Sequence, residues 1–349
     1  MYDIIIVGSG VAGSYISSLL ADFNVLVIEK DKKVILKDSG IVSKNFDNFF
    51  DDKKLIKDEI DEMVAVSPSG YKFSLNSESP YAYLLERKKF SFFLRKMARK
   101  NCDVKYEKSE KIEYHDDFVS VITDKNEYAC KIVIGCDGAN SIVRQSAGIK
   151  NPRLIMGLFS FSKVKKEKIH IFFDKNYSDE FFSWVIPQNN EYGLMAEKNA
   201  MAYLYRFMSD KEIKGGKILG SQIPIGFTKS FAKRTLLIGD ACGQVKPLSG
   251  GGIIFSLAAS RYAAETIKNA FEKQRFDKKI LYEYEKSWKN DFAGEIRKQL
   301  LFRKIYKKMN NRQIDMLFRK FGPKIEKIND FDYDKLSKSW KRVFLPFIN

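Results

Sequence analysis

The chain has 349 residues, 44% apolar and 30% charged, with a formal net charge of +17; this excludes a minidomain and a disordered chain and leaves room for a large core. No stretch reaches the roughly 18 uninterrupted apolar residues of a membrane-spanning helix, and the start enters a strand pattern with no basic leader, so a cytoplasmic protein is expected. Four scattered cysteines and two histidines provide no metal site and no disulfide framework, and the positive charge is spread along the chain rather than gathered in a nucleic-acid-binding motif.

In chain order, residues 3–7 predict a β-strand, 8–13 a glycine-rich turn, 14–23 a short helix and 24–28 a second strand. Parallel strands need such a helical crossover, so this is a βαβ unit. Residues 31–62 are polar and read as irregular. The alternation over 63–75, broken by Ser67-Pro68-Ser69-Gly70, predicts a hairpin. Residues 84–100 carry Phe90, Phe93, Leu94 and Met97 at helical spacing, and 111–133 read as further strands. Aromatic-rich runs at 154–161, 169–173, 181–187 and 192–197 predict a second sheet. A buried strand at 235–238 leads into Gly239–Phe255, and the chain beyond 275 is helical and basic.

The chemistry concentrates in the turns. Gly8-Ser9-Gly10-Val11-Ala12-Gly13 follows a strand, opens a helix and precedes a second strand ending at Glu29-Lys30, the context in which G-x-G-x-x-G binds a dinucleotide. Gly8 permits the tight turn, Gly10 lets the backbone approach a pyrophosphate, and Gly13 allows close packing. The helix N-terminus attracts the phosphates, and Glu29 can accept ribose hydroxyls. FAD and NAD share this fingerprint. Asp137 and Asp240 each follow a buried strand, where a carboxylate can anchor a polyhydroxyl chain, and the pair favours FAD. No hydrolase elbow or phosphate loop is present, so a cofactor carries the chemistry.

With Asp137-Gly138-Ala139-Asn140-Ser141-Ile142-Val143-Arg144 and Gly239-Asp240, the fingerprint resembles the para-hydroxybenzoate hydroxylase superfamily of FAD enzymes. Within it, the run Gly239–Ile253, with Pro247-Leu248-Ser249-Gly250-Gly251-Gly252-Ile253, is similar to the geranylgeranyl reductase family. Phe182-Ser183-Trp184-Val185-Ile186-Pro187 resembles that family's Y-x-W-x-F-P motif, with Phe182 for Tyr and Ile186 for Phe, and Glu86-Arg87 is similar to a helix start from which an arginine approaches the flavin. The likeness covers most of residues 1–290.

The resemblance implies an α/β fold: a Rossmann-type FAD-binding domain (1–60, 81–150, 225–275), an inserted mixed β-sheet substrate domain (61–80, 151–224) and a helical C-terminal region (276–349). It implies FAD held by Gly8, Gly10, Val11, Ala12, Gly13, Glu29, Lys30, Arg87, Asp137, Gly239, Asp240 and Gly250–Ile253. Gly251 and Gly252 are expected to leave bare backbone against the ring, where free N–H groups favour the charge of reduced flavin. Phe182, Trp184 and Pro187 would contact substrate. The implied reaction saturates isolated double bonds of a geranylgeranyl or other prenyl chain on a lipid or quinone. Many members carry a cysteine before a glycine in the loop after the first βαβ unit; here Ser39-Gly40 occupy that catalytic place, and a serine is a far weaker acid than a thiol of pKa about 8.5.

The electron donor would be NAD(P)H or a ferredoxin, since no second dinucleotide fingerprint is visible. The charge and the segment 341–347, Lys-Arg-Val-Phe-Leu-Pro-Phe, could bring the protein to the inner face of an anionic membrane. Two other readings stay open: an FAD monooxygenase or halogenase, since Trp184-Val185-Ile186-Pro187 is similar to the end of the halogenase W-x-W-x-I-P motif, with Phe182 in place of its first tryptophan, and a non-catalytic flavin or lipid binder, motivated by Ser39.

Overall fold

The computed structural model describes residues 1–163, 167–328 and Asp334. The strand Tyr2–Val7 lies at the centre of an eight-stranded sheet, flanked in parallel by Val25–Glu29 and Glu127–Gly135. Asp103–Tyr106 and Thr235–Leu237 extend it in parallel on the two sides. Strands buried on both faces read as continuous apolar runs, and Ile4-Ile5-Ile6-Val7 is one. Ile4 and Ile6 pack towards the helices Val11–Leu19 and Ile253–Glu272. Ile5 and Val7 face Val119, Val121 and Val143 on the other side. The result is a helix–sheet–hairpin sandwich in which the C-termini of the five parallel strands open at one end.

The helix Val11–Leu19 begins earlier and ends sooner than the expected 14–23, because Gly13 sits inside the helix where it crosses the strand. The second sheet has seven strands in the order Ile218–Ile225, Arg153–Phe161, Glu191–Ala196, Ser183–Ile186, Ile169–Phe172, Glu62–Val66, Lys72–Asn76. Every pairing is antiparallel except Ile169–Phe172 with Glu62–Val66, so this sheet is mixed.

Residues 31–62, expected to be irregular, contain two strands, Ile41–Ser43 and Ile56–Ile60, which pair with Ala82–Leu85 in a third sheet. This small sheet holds the loop 37–40 between the other two. The helix expected over 84–100 therefore starts only at Arg87, after that strand. Three further helices, Lys278–Trp288, Gly294–Lys307 and Asn311–Ile325, follow the long helix. The segment 341–347 lies outside the described residues.

Candidate functional site

A cavity of about 920 Å³ runs from the strand C-termini of the first sheet to the face of the second. Its lining includes Gly8, Gly10, Val11, Ala12, Glu29, Lys30, Ser39, Gly40, Arg87, Asp137, Gly239, Asp240, Gly250–Ile253, Phe182 and Trp184. Two of the sequence-predicted residues do not line it. Gly13 lies behind the turn, where an added Cβ would sit 1.9 Å from the Gly8 carbonyl oxygen. Pro187 opens a half-buried turn after the aromatic strand.

The three fingerprint glycines do different work. Gly8 has φ +97° and a Cβ there would meet the Cys136 carbonyl at 2.4 Å, so the strand-end turn excludes any side chain. At Gly10, by contrast, a Cβ would meet nothing within 4 Å. Its bare face is turned to the cavity, and no side chain caps the helix that follows. Open backbone at an uncapped helix N-terminus is the arrangement that accepts a phosphate. Glu29 is buried beneath the turn: Ser9 N and Oγ both donate to its Oε2 at 2.8 Å, and Asp31 N donates to Oε1 at 2.9 Å.

The two later motifs are joined by Arg144. Its buried guanidinium donates to Ala139 O at 2.8 Å and Ala241 O at 2.7 Å, tying the loop after Gly135 to the loop after Leu237. Asp137 Oδ2 accepts from Ile142 N (2.7 Å) and Val143 N (3.3 Å), while its buried Oδ1 has no partner among the described residues. Burial raises the Asp137 carboxyl above its usual range, and pushes that of Asp240 up to about 6. A carboxylate with one oxygen anchored and the other unmet is a ready acceptor for a ligand hydroxyl.

The glycine run is held by backbone bonds: Lys246 N donates to Gly251 O at 3.0 Å and Gly250 N to Lys246 O at 2.9 Å. Gly250 has φ +72°, which a side chain would strain. Gly252 then opens the helix Ile253–Glu272 without a side-chain cap. The second helix N-terminus of the site thus also presents bare backbone to the cavity.

The loop carrying Ser39 is fixed by a partner that sequence reasoning missed. Asp38 takes a bidentate ion pair from Arg87, with Nε–Oδ1 at 2.6 Å and Nη2–Oδ2 at 2.7 Å, and also accepts from Gly40 N at 2.9 Å. Arg87 Nη1 is buried with no partner among the described residues, so its N–H groups remain for a ligand. Gly40 has φ +80°, and its Cβ would lie 2.4 Å from Arg87 Cγ. Gly40→Ala is therefore expected to cost about 1–3 kcal/mol and to break the Arg87–Asp38 geometry, read as a lowered denaturation midpoint.

Across the cavity, Phe182 and Trp184 stand edge to face with ring centroids 6.1 Å apart. The Trp184 ring sits against Gly193, whose Cβ would be 2.5 Å from Trp184 Cζ2. Met156, Phe159, Ile171, Met195 and Ile223 continue an apolar wall. Among the described residues no group of His, Cys, Asp and Glu could hold a metal ion, and no helix is long and apolar enough to cross a membrane.

No protein-family model matches the chain. An uncharacterised protein of Methanocaldococcus jannaschii is 30% identical over 92% of this chain and 88% of its own length. A digeranylgeranylglycerophospholipid reductase of the same organism is 25% identical over 98% of this chain and 95% of its own. Among solved structures, a geranylgeranyl bacteriochlorophyll reductase-like protein of Thermoplasma acidophilum is similar at TM-score 0.88 and 20% identity, covering 99% of this chain and 97% of that one. A flavin-dependent brominase is similar at TM-score 0.69 and 18% identity, covering 99% of each chain. The fold is thus one that flavin-dependent enzymes use.

Proposed function

The chain belongs to the geranylgeranyl reductase family, and from that premise we propose that it is an FAD-dependent oxidoreductase that saturates isolated double bonds of a prenyl chain carried on a lipid. The observation that carries the reading is the single cavity that joins the fingerprint turn, the glycine run and the aromatic wall. Its residues suit FAD: Gly10 offers an open approach for the pyrophosphate, Asp137 Oδ1 an unmet acceptor, and Arg87 Nη1 an unmet donor.

In this reading, Gly10–Ala12 would hold the phosphates, Glu29 and Lys30 the adenosine end, and Asp137 and Asp240 the polyhydroxyl chain and its surroundings. Gly250–Ile253 would lie along the ring. Bound FAD, once reduced, supplies a hydride. Phe182 and Trp184 would hold the prenyl chain and keep water from it, as an unactivated alkene requires. Ser39, on a loop braced by Asp38 and Arg87, would face the reacting carbons.

The electron donor in this proposal is NAD(P)H or a ferredoxin. The helix Gly294–Lys307 leaves Leu301 and Ile305 exposed at 61% and 52%, with Lys304 and Lys308 exposed beside them. That pairing of apolar and basic groups supports contact with an anionic lipid surface.

The test is anaerobic. After dithionite reduction, a geranylgeranyl lipid or prenylated quinone is expected to reoxidise the flavin and to gain two hydrogens at each saturated bond, read by absorbance and mass spectrometry. Flavin that stays reduced until air is admitted would overturn the reading and favour an oxygen-using monooxygenase or halogenase.

A further inference from the structure

Behind the aromatic wall lies a carboxyl that none of the cofactor motifs explains. Glu191 opens the strand Glu191–Ala196, in which all six residues are buried, and is itself 1% exposed. Its hydrogen-bond partners among the described residues are neutral: Ser39 Oγ and Trp184 Nε1 (2.9 Å) at Oε1, and Asn189 Nδ2 (3.5 Å) at Oε2. Lys57, on the strand Ile56–Ile60, donates instead to Gln188 O at 2.7 Å and Asn189 Oδ1 at 2.8 Å. Arg87 is paired with Asp38. Burial, and secondarily the charge of Asp38, therefore raise the Glu191 carboxyl above its usual range in spite of its hydrogen bonds.

Ser39 stands between this carboxyl and the cavity. It lines the cavity while Glu191 does not, its Oγ contacts Glu191 Oε1, and its carbonyl accepts from Asn189 Nδ2 at 3.2 Å. A serine hydroxyl that gives up a proton in a dry pocket cannot remain an alkoxide; it must be reprotonated as it donates. A carboxyl raised by burial, and already accepting a hydrogen bond from Ser39 Oγ, is placed to return that proton.

We propose that Glu191 stores the proton of the reaction and that Ser39 hands it to the substrate. The inference rests on the reading of the cavity as that of a flavin-dependent alkene reductase. One alkene carbon receives a hydride, with its electron pair, from bound reduced flavin. The π pair of the alkene forms the new C–H bond to the proton of Ser39 Oγ at the other carbon. Ser39 takes the carboxyl proton of Glu191 in the same motion, and Glu191 is left as a carboxylate until a solvent proton restores it after product leaves. Trp184, bonded to the same carboxyl oxygen, keeps Glu191 pointed at Ser39 while its ring borders the substrate.

Two measurements test this. Infrared titration of the apoprotein is expected to show a carboxylic-acid C=O band that survives above the usual carboxylate range, persists in Asp137→Asn and Asp240→Asn, and is missing in Glu191→Gln. In the flavin-loaded protein, anaerobic reoxidation by a prenyl lipid is expected to slow as pH rises through that transition. Glu191→Gln should lose this pH limb and react about 100-fold more slowly or worse, with dithionite reduction of its flavin unchanged. Ser39→Ala should behave likewise, and Ser39→Cys should recover part of the rate by supplying its own proton. If Glu191→Gln folds, retains flavin and matches the wild-type rate and pH profile, the relay is overturned. If it fails to fold, loss of the infrared band in Asp137→Asn combined with Asp240→Asn, or a Ser39→Ala variant as fast as wild type, overturns it instead. A wild-type protein that leaves its flavin reduced in the presence of prenyl lipids overturns the reductase reading first, and the relay with it.

Discussion

Gly10→Val is expected to yield a folded protein that has lost its flavin, whereas Gly13→Ala, three positions along, is expected not to fold at all. The difference lies in what each missing side chain would meet. A Cβ at Gly10 finds nothing within 4 Å and the residue's φ of −69° suits any amino acid, so the apoprotein should lose no more than about 1 kcal/mol. The valine would, however, fill the space over the helix N-terminus where a phosphate must come within hydrogen-bond reach, and retention should fall at least ~100-fold. At Gly13 the added Cβ would stand 1.9 Å from a backbone carbonyl and 3.2 Å from Cys136 Cβ. Neither the turn nor the neighbouring strand can move without separating the helix from the sheet, so a loss of more than about 4 kcal/mol is expected. Flavin content after purification, set against circular dichroism and the denaturation midpoint, separates the two outcomes. A Gly10→Val protein that purifies yellow would remove the phosphate assignment.

How much of this site could be read from the sequence follows from the range of each interaction. The fingerprint turn, the Asp137 loop and the Asp240 loop were legible because strand, turn and helix signals lie within a few residues of one another. The three sheet segments at 41–43, 56–60 and 82–85 were not. They are short, the middle one sets Lys57, Asp58 and Glu59 in a row between two isoleucines, and its register slips between Ile56 and Asp58. Asp38 and Glu191 were missed for a related reason. Ser39 and Glu191 are 152 positions apart, and no local pattern announces their contact. A signal was nonetheless present: Glu-Tyr-Gly-Leu-Met-Ala is an apolar strand headed by an acid, and a carboxyl at the start of a fully buried strand needs an explanation. The brace on the Ser39 loop likewise required knowing that Arg87, expected to approach the flavin, turns Nε and Nη2 to Asp38.

A buried carboxylate outside the cavity holds the C-terminal helices to the second sheet. Glu180→Ala is expected to destabilise the protein by about 3–5 kcal/mol, because it strands a buried cation. The Glu180 side chain is fully buried, with Arg303 Nε donating to its Oε2 at 2.8 Å and Lys307 Nζ to its Oε1 at 2.7 Å, and with Arg153 on the same carboxylate. Burial by itself would raise this carboxyl. The Lys307 hydrogen bond and the charges of Arg303 and Arg153 outweigh burial and hold it at about 2. A carboxyl depressed in the folded state adds stability above its unfolded value, near 4.5, and loses that contribution as pH falls through the folded value. The wild-type denaturation midpoint should thus fall between pH 5 and 2, and the Glu180→Ala midpoint should fall less over the same range. The effect should also reach the site, since Arg303 donates to Pro247 O and so ties the helix Gly294–Lys307 to the loop that carries Gly250–Gly252. Flavin retention is expected to weaken along with stability. Glu180→Leu combined with Arg303→Met, which removes both buried charges, should recover part of the stability, but it also removes the donor to Pro247 and should leave retention low. Recovery of both together would mean that Arg303 does not position the glycine run.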